Sequence, residues 1–414
     1  MMEKDKKIFD IALLAGQILM ESGAESYRVE DVLERILSLS DYETKDALAL
    51  LTSFNITLKL KNGTVLTSTK RIKERNVHLD KIQQTNQISR LLISNQIDLE
   101  KAENDLKLLL LDEKPLIRNY FLKILAAGSF TLMQGGLDFS LFVSLSAAII
   151  MIFVDLIFKK TKIANFIKVL LQAFSASLFS ALIIKYFPND VNLISTLTGC
   201  LMILFPGTVF TNAIRDILNG DFLTGSGNIL SAIVTASSLA LGTGIALYVV
   251  DINWVDIQTN NEWYDKVASY IGAAIAVICV AFILGVKGFV PIYIGFLGAV
   301  GWVVYCLLFQ SKTGVFVASF VGALCLAFFA QIGARIFKAP STIFFIPSLF
   351  PLVPGAIIYK AIVLYSQNNY TDGNLQFLDA LIISIGIALG IMFIDSLFTF
   401  IMSAKKILFK YVKK

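Results

Sequence analysis

The stretch Leu204-Phe205-Pro206-Gly207-Thr208-Val209-Phe210-Thr211-Asn212-Ala213-Ile214 lies inside a long apolar segment. A proline there removes a backbone donor and breaks helical hydrogen bonding. The pattern returns downstream as Leu352-Val353-Pro354-Gly355-Ala356-Ile357-Ile358-Tyr359-Lys360-Ala361-Ile362. Aligned without gaps, five of the eleven positions are identical: Leu, Pro, Gly, Ala and Ile. Breakable backbone inside a membrane, present twice in one chain, points to the binding region of a transporter.

The surrounding composition agrees. The chain has 414 residues, 56% hydrophobic and 16% charged. Of its 31 acidic and 36 basic residues, 19 and 17 fall in residues 1–115. A polar head of about 115 residues therefore precedes a long apolar region. The four cysteines (Cys200, Cys279, Cys306, Cys325) lie in apolar segments without CxxC spacing. They read as packing residues, not as disulfides or a metal site. No secretory signal opens the chain, so the head is expected in the cytoplasm. The net charge of +5 fits membrane topology, and no nucleic acid is called for.

Ten spans can be drawn, each near the ~20 residues that cross ~30 Å of hydrocarbon. They run at about 117–135, 139–158, 165–186, 192–213, 229–250, 267–286, 289–309, 314–334, 341–361 and 376–402. With the head inside, inner loops and the tail hold thirteen lysines and arginines, and outer loops hold four (Lys185, Lys266, Lys312, Lys360). That asymmetry places both termini in the cytoplasm and the chain as a multi-pass protein of the cytoplasmic (inner) membrane. Pro206 falls in the fourth span and Pro354 in the ninth. An odd separation sets the two helices antiparallel, as in an inverted repeat. The expected fold is thus a membrane all-α protein of two inverted five-helix repeats with a small α+β cytoplasmic domain. Its divisions are 1–115, the head; 116–250, the first half; 251–266, an outer linker; and 267–414, the second half. Pro206 and Pro354 should meet near mid-membrane around a pseudo-twofold axis. After the first copy, Asn219-Gly220-Asp221 and Gly225-Ser226-Gly227 read as a flexible inner connection, a gate or hinge.

In the head, helical spacing predicts helices over about 4–21 and 27–39. Apolar or alternating runs at 47–54 and 56–60, a turn at Lys61-Asn62-Gly63 and a return at 64–71 predict a hairpin. Helices over about 79–94 and 98–111 follow, the second with Asp98 as N-cap. Glu21, Glu25, Arg28 and Glu30 cluster around the turn Ser22-Gly23-Ala24. They read either as capping and surface ion pairs or as a polar constellation at the mouth of a pathway.

Enzymatic constellations are nearly absent. The one histidine, His78, excludes His-based metal sites and Ser-His-Asp triads and reads as a surface residue at a helix start. No P-loop pattern is present, so an ion gradient is the expected energy source. Charges within or beside spans are costly and therefore informative. Asp155, Asp216 and Asp395 are the ion-coupling candidates. Arg215 follows the first Pro-Gly helix, and Lys360 stands where Asn212 stands in the first copy. Gln134, Gln172 and Gln331 read as helix–helix hydrogen bonders. The substrate pathway is expected at Pro206, Gly207, Asn212, Pro354, Gly355 and Lys360. There a half-helix N-terminus suits a carboxylate, and freed carbonyls suit an ammonium. No catalytic residue, metal or cofactor is expected.

Ser22-Gly23-Ala24-Glu25 with Arg28-Val29-Glu30, then Val77-His78-Leu79-Asp80-Lys81 and Asn86-Gln87-Ile88-Ser89-Arg90, resembles the amino-terminal domain of the threonine/serine exporter family. The order of parts, a head and two five-span halves, is similar too. One departure is Thr52-Ser53-Phe54-Asn55, where a Pro-Thr-Gly-like turn is common. The resemblance implies export of threonine and serine driven by the proton-motive force. The partners are then the bilayer, a small amino acid or organic acid and protons, with a homo-oligomer allowed. It also extends to exporters of dicarboxylates such as succinate, an alternative substrate. A reading of another class is a membrane-anchored hydrolase using the head around Glu21, Glu25, Arg28 and Glu30.

Overall fold

A computed structural model describes the chain except residues 1, 41–43, 60–64, 74, 113–115, 138, 160, 162, 188–190, 219, 252–262, 367–368 and 413–414. The chain divides into two compact units: Met1–Pro115 with Leu284–Lys287, and Leu116–Ile283 with Gly288–Lys414.

The smaller unit runs α1 (Met2–Glu21), α2 (Ser26–Leu37), β1 (Thr44–Leu50), β2 (Ser53–Lys59), β3 (Val65–Arg71), α3 (Leu79–Ile93) and α4 (Leu99–Leu111). The strands form one antiparallel sheet in the order β1-β2-β3. Alternation sends Phe54, Ile56 and Leu58 of β2 inward, where they are buried with Ile8, Ile11, Leu19, Leu33 and Leu79. Gly16 of α1 lets the Phe54 ring lie against the helix; a Cβ there would sit 2.7 Å from the ring. Asp98 caps α4 by accepting the Lys101 N–H at 2.8 Å, as its sequence position predicts.

Two expectations for this unit need correction. The apolar run 47–54 is not one strand: Leu50 pairs with Ser53 across the turn Leu51–Thr52, so it divides between β1 and β2. Periodicity alone does not register a two-residue turn without glycine or proline. The expected turn at 61–63 lies outside the described residues. His78 is half-buried, not a surface residue. It packs against Gly285, whose backbone adopts φ +93° and whose Cβ would lie 2.9 Å from the imidazole. Leu284–Lys287 joins this unit through the Leu79 N–H on the Leu284 carbonyl (2.8 Å) and the Asp80–Lys287 ion pair (2.6 Å).

The larger unit is all helix: α5 (Leu116–Met133), α6 (Phe139–Phe158), α7 (Asn165–Tyr186), α8 (Leu193–Leu201), α9 (Gly207–Leu218), α10 (Phe222–Val250), α11 (Trp263–Ile283), α12 (Val290–Gln310), α13 (Val315–Ile336), α14 (Ser341–Ser348), α15 (Gly355–Ser366) and α16 (Tyr370–Val412). Among the described residues seven of these are long and apolar enough to cross a membrane, eight if α8 and α9, bent by 59°, count as one span. The count is lower than the ten spans drawn from sequence. Helix α5 carries Arg118 and Lys123, and α14 and α15 are separated by the irregular residues 349–354. Phe121, Phe142, Phe153, Tyr248, Phe289 and Phe400 are exposed on this unit, as suits a surface facing lipid.

Helix α10 begins at Phe222, so Gly225-Ser226-Gly227 is helical and no flexible connection. Gly225 serves packing: its missing Cβ leaves room for the Ala213 carbonyl of α9, 2.8 Å from where that Cβ would be. The turn between α9 and α10 falls on Gly220, at φ +96°. Helix α11 begins at Trp263, inside the expected linker.

The helices recur at a fixed spacing. Leu193 and Ser341, Gly207 and Gly355, and Phe222 and Tyr370 open equivalent helices, each pair 148 residues apart. Packing recurs with them. Helix α5 lies on α6, α6 on α7, α7 on α10 and α9 on α10; likewise α11 lies on α12, α12 on α13, α13 on α16 and α15 on α16. Contacts between the two sets are reciprocal as well: α9 meets α16, α10 meets α15, and α5 meets α11.

One pair of glycines shows how closely this holds. A Cβ on Gly242 would meet the Leu170 carbonyl oxygen at 2.4 Å and the Phe174 nitrogen at 2.9 Å. A Cβ on Gly390 would meet the Phe320 carbonyl oxygen at 2.7 Å and the Leu324 nitrogen at 3.1 Å. In both places backbone rests on backbone, so a side chain cannot swing aside. Gly242→Ala and Gly390→Ala should each destabilise the protein by about 1–3 kcal/mol through overpacking. Gly244, with nothing within 4 Å of its Cβ position, is the control. Thermal melts of the purified protein in detergent should show lower Tm for the first two and no loss for Gly244→Ala.

Candidate functional site

Helix α8 ends in a single 3-10 turn, Met202–Leu204, and the chain then extends at Phe205 (φ −73°, ψ 130°). The residue before a proline is driven out of the helical region, which accounts for that conformation. The Pro206 carbonyl accepts the Phe210 N–H at 2.9 Å and starts α9. In the second copy Pro340 precedes α14, Pro347 sits in its last turn, and residues 349–354 form turns. The Pro354 carbonyl then accepts the Ile358 N–H at 3.1 Å and starts α15 in the same way. The crowding of prolines breaks this helix for six residues, as their spacing implies.

The two breaks meet, each seated on the other. Val353, before Pro354, covers Gly207; a Cβ there would fall 2.0 Å from its Cγ1. Phe205, before Pro206, covers Gly355; a Cβ there would fall 2.8 Å from its ring. Between them lies a space of about 170 Å³, counted with its open mouth, lined by Met202, Phe205, Gly207, Thr208, Phe350, Val353 and Gly355. Among the described residues, Thr208 supplies the only polar side chain in that lining. The first N–H groups of α9 and α15 have no acceptor within their own helices, and the helix dipoles add partial positive charge at both starts.

Pro206, Gly207, Pro354 and Gly355 are thus brought together. Asn212 and Lys360, both half-buried, lie on the second turns of α9 and α15 and do not line this space.

The ion-coupling candidates occupy other places. Asp395 of α16 pairs with Arg215 of α9 (2.5 Å) and accepts from Gln331 Nε2 of α13 (2.7 Å). The Arg215 guanidinium lies 5.0 Å from the centre of the Phe345 ring of α14. Arg335 donates to the Gln331 side-chain oxygen (3.0 Å) and stacks on Phe398. Asp155 of α6 pairs with Lys168 of α7 (2.6 Å) and accepts from Tyr120 of α5 (3.0 Å) and Gln172 of α7 (3.2 Å). Gln172 and Gln331 are therefore partners of carboxylates on neighbouring helices. Asp216 lies beside Asn228, whose Nδ2 is 3.4 Å away.

The head motif is held by local contacts. Glu25 pairs with Arg28 (3.0 Å), Glu21 accepts from Gln17 (2.8 Å), and Glu30 accepts the Ala49 N–H (2.9 Å). The residue that ties this turn was not singled out by sequence. Arg75 donates to three carbonyls, those of Met20, Leu51 and Ala24, at 3.0–3.2 Å. It stands in the charged run Arg71-Ile72-Lys73-Glu74-Arg75, where nothing distinguishes it. Among the described residues no three His, Cys, Asp or Glu side chains come together as a metal site would require.

The reciprocal seating yields a compensation test. Gly207→Ala should abolish or strongly reduce any activity routed through this crossing, because the new methyl overlaps Val353. Adding Val353→Ala removes the overlapping Cγ1 and should restore activity and Tm together, a coupling of about 1–3 kcal/mol between contacting residues. Thermal melts and activity of the two single variants and the double variant check this.

Family models match the chain on both sides of its midpoint. One, for threonine/serine exporters (ThrE), matches residues 10–250, and a second, also for threonine/serine exporters, matches residues 269–397. No curated protein and no solved structure matches the chain. The apolar helices make it a multi-pass membrane protein, and with the first match spanning more than half its length, the chain belongs to the threonine/serine exporter family of membrane transporters.

Proposed function

We propose that the chain exports threonine and serine across the cytoplasmic membrane as a secondary transporter driven by the proton-motive force. The observation that carries this reading is the mutual seating of Phe205-Pro206-Gly207 and Val353-Pro354-Gly355. Two helix starts converge on one small space. An amino acid's carboxylate would be drawn to the N–H groups at the openings of α9 and α15. Its ammonium would be held by carbonyls released in the breaks around Pro206 and in residues 349–354. Thr208 stands at the wall of that space, where its hydroxyl would meet a hydroxylated side chain.

The architecture we infer is a pair of inverted repeats, α5–α10 and α11–α16, each counted as five spans with α8–α9 and α14–α15 as broken ones. The fixed spacing of 148 residues, the matching helix contacts and the matched Gly242 and Gly390 support it. Such a pair opens a central site to either side by rocking one bundle against the other. Residues 1–115 are taken as a cytoplasmic head, 251–266 as an outer connection, and both termini as cytoplasmic. The lysine and arginine asymmetry supports that orientation.

The deciding measurement is flux. Protein reconstituted into vesicles should exchange labelled threonine and serine and leave succinate behind. A protein that moves succinate and neither amino acid takes the dicarboxylate as substrate. One that moves none of the three is no exporter of this class.

A further inference from the structure

The two halves match in helix spacing and packing, but their charges do not. On one side of the pseudo-symmetric pair, α9 meets α16 through Arg215 and Asp395. At the same spacing of 148 residues the sequence has Val363 in place of Arg215 and Leu247 in place of Asp395, neither able to carry a charge. If two halves exchange roles when a transporter turns over, symmetric contacts leave the two states equal in energy. A contact present at one crossing alone does not.

The Arg215–Asp395 pair has the character of a device that holds a state. Arg215 is a buried cation, 8% exposed, on the helix that opens at Gly207. Its guanidinium is fixed between a carboxylate on α16 and a ring on α14. Among the described residues, Arg215 from α9 and Gln331 from α13 face Asp395, with Arg335 behind Gln331. Protonating Asp395 would cancel its charge and take from the buried Arg215 guanidinium the carboxylate it pairs with, a loss that low-dielectric surroundings make costly. Arg215 would then move, and α9 with it.

We propose that Arg215 and Asp395 form a one-sided latch between the halves, and that a proton on Asp395 opens it. In the orientation inferred above, the latch lies toward the cytoplasmic ends of α9 and α16. It would keep that side closed until a proton arrives. This rests on the exporter reading for its direction, and on the charge asymmetry for its existence.

The test uses wild-type protein with Asp395→Asn, Arg215→Gln and the charge-reversed pair Arg215→Asp with Asp395→Arg. In vesicles, Asp395→Asn should carry threonine exchange at equal pH but lose the acceleration that a pH gradient gives wild type. Hydrogen exchange of backbone amides in α9, at one pH and without substrate, should speed by about tenfold in Asp395→Asn and Arg215→Gln. The reversed pair should slow it again, which separates a lost latch from a misfolded variant. A pH-gradient response retained in Asp395→Asn overturns the proton's role. Unchanged exchange of the α9 amides overturns the latch. If wild type moves neither threonine nor serine, the exporter reading falls, and the amide measurement still decides the latch.

Discussion

Pro206 and Pro354 each lack an N–H, and much of the larger unit follows from that. A backbone group without a partner is costly in hydrocarbon, so an interrupted helix must be enclosed by protein or face water. Here the two interruptions enclose one another. Val353 covers Gly207 and Phe205 covers Gly355, which lets the backbones approach at both breaks while apolar side chains close the surroundings. Glycine follows proline in both copies because anything larger would hold the breaks apart. The helices α9 and α15 both start at that crossing.

Around this centre, rigidity and adjustability are distributed differently. Helices α7 and α10, like α13 and α16, touch backbone to backbone at Gly242 and Gly390. Such contacts have no side chain to reorganise. By contrast α9 is held to α16 by a guanidinium and a carboxylate, groups whose attraction depends on a proton. The Gly242 and Gly390 contacts lie within each half, and the Arg215–Asp395 pair lies between halves.

Much of this was legible in the chain. The repeated Leu-x-Pro-Gly pattern located both breaks, and helices α6 and α7 begin and end where their apolar runs do, at 139–158 and 165–186. The prolines from Pro340 to Pro354 announced the irregular residues between α14 and α15. What escaped had no local signal. The turn at Leu51–Thr52 contains neither glycine nor proline, so the run read at 47–54 straddles β1 and β2. Gly225-Ser226-Gly227 has the composition of a hinge, but close packing on Ala213 keeps it helical. Asp395 and Arg215 stood out as charges in apolar surroundings, yet 180 residues separate them and only the fold makes them partners. Arg75 belongs to the same category: three carbonyls from distant turns meet at one guanidinium.

The seating of Phe205 on Gly355 and of Val353 on Gly207 also has a mechanical consequence. Each half carries one tooth and one notch, and the two teeth engage from opposite sides. Neither broken hairpin can rotate by itself without its tooth riding out of the other's notch. Motion in one half is therefore geared to motion in the other through van der Waals contact alone, before any charge or substrate takes part.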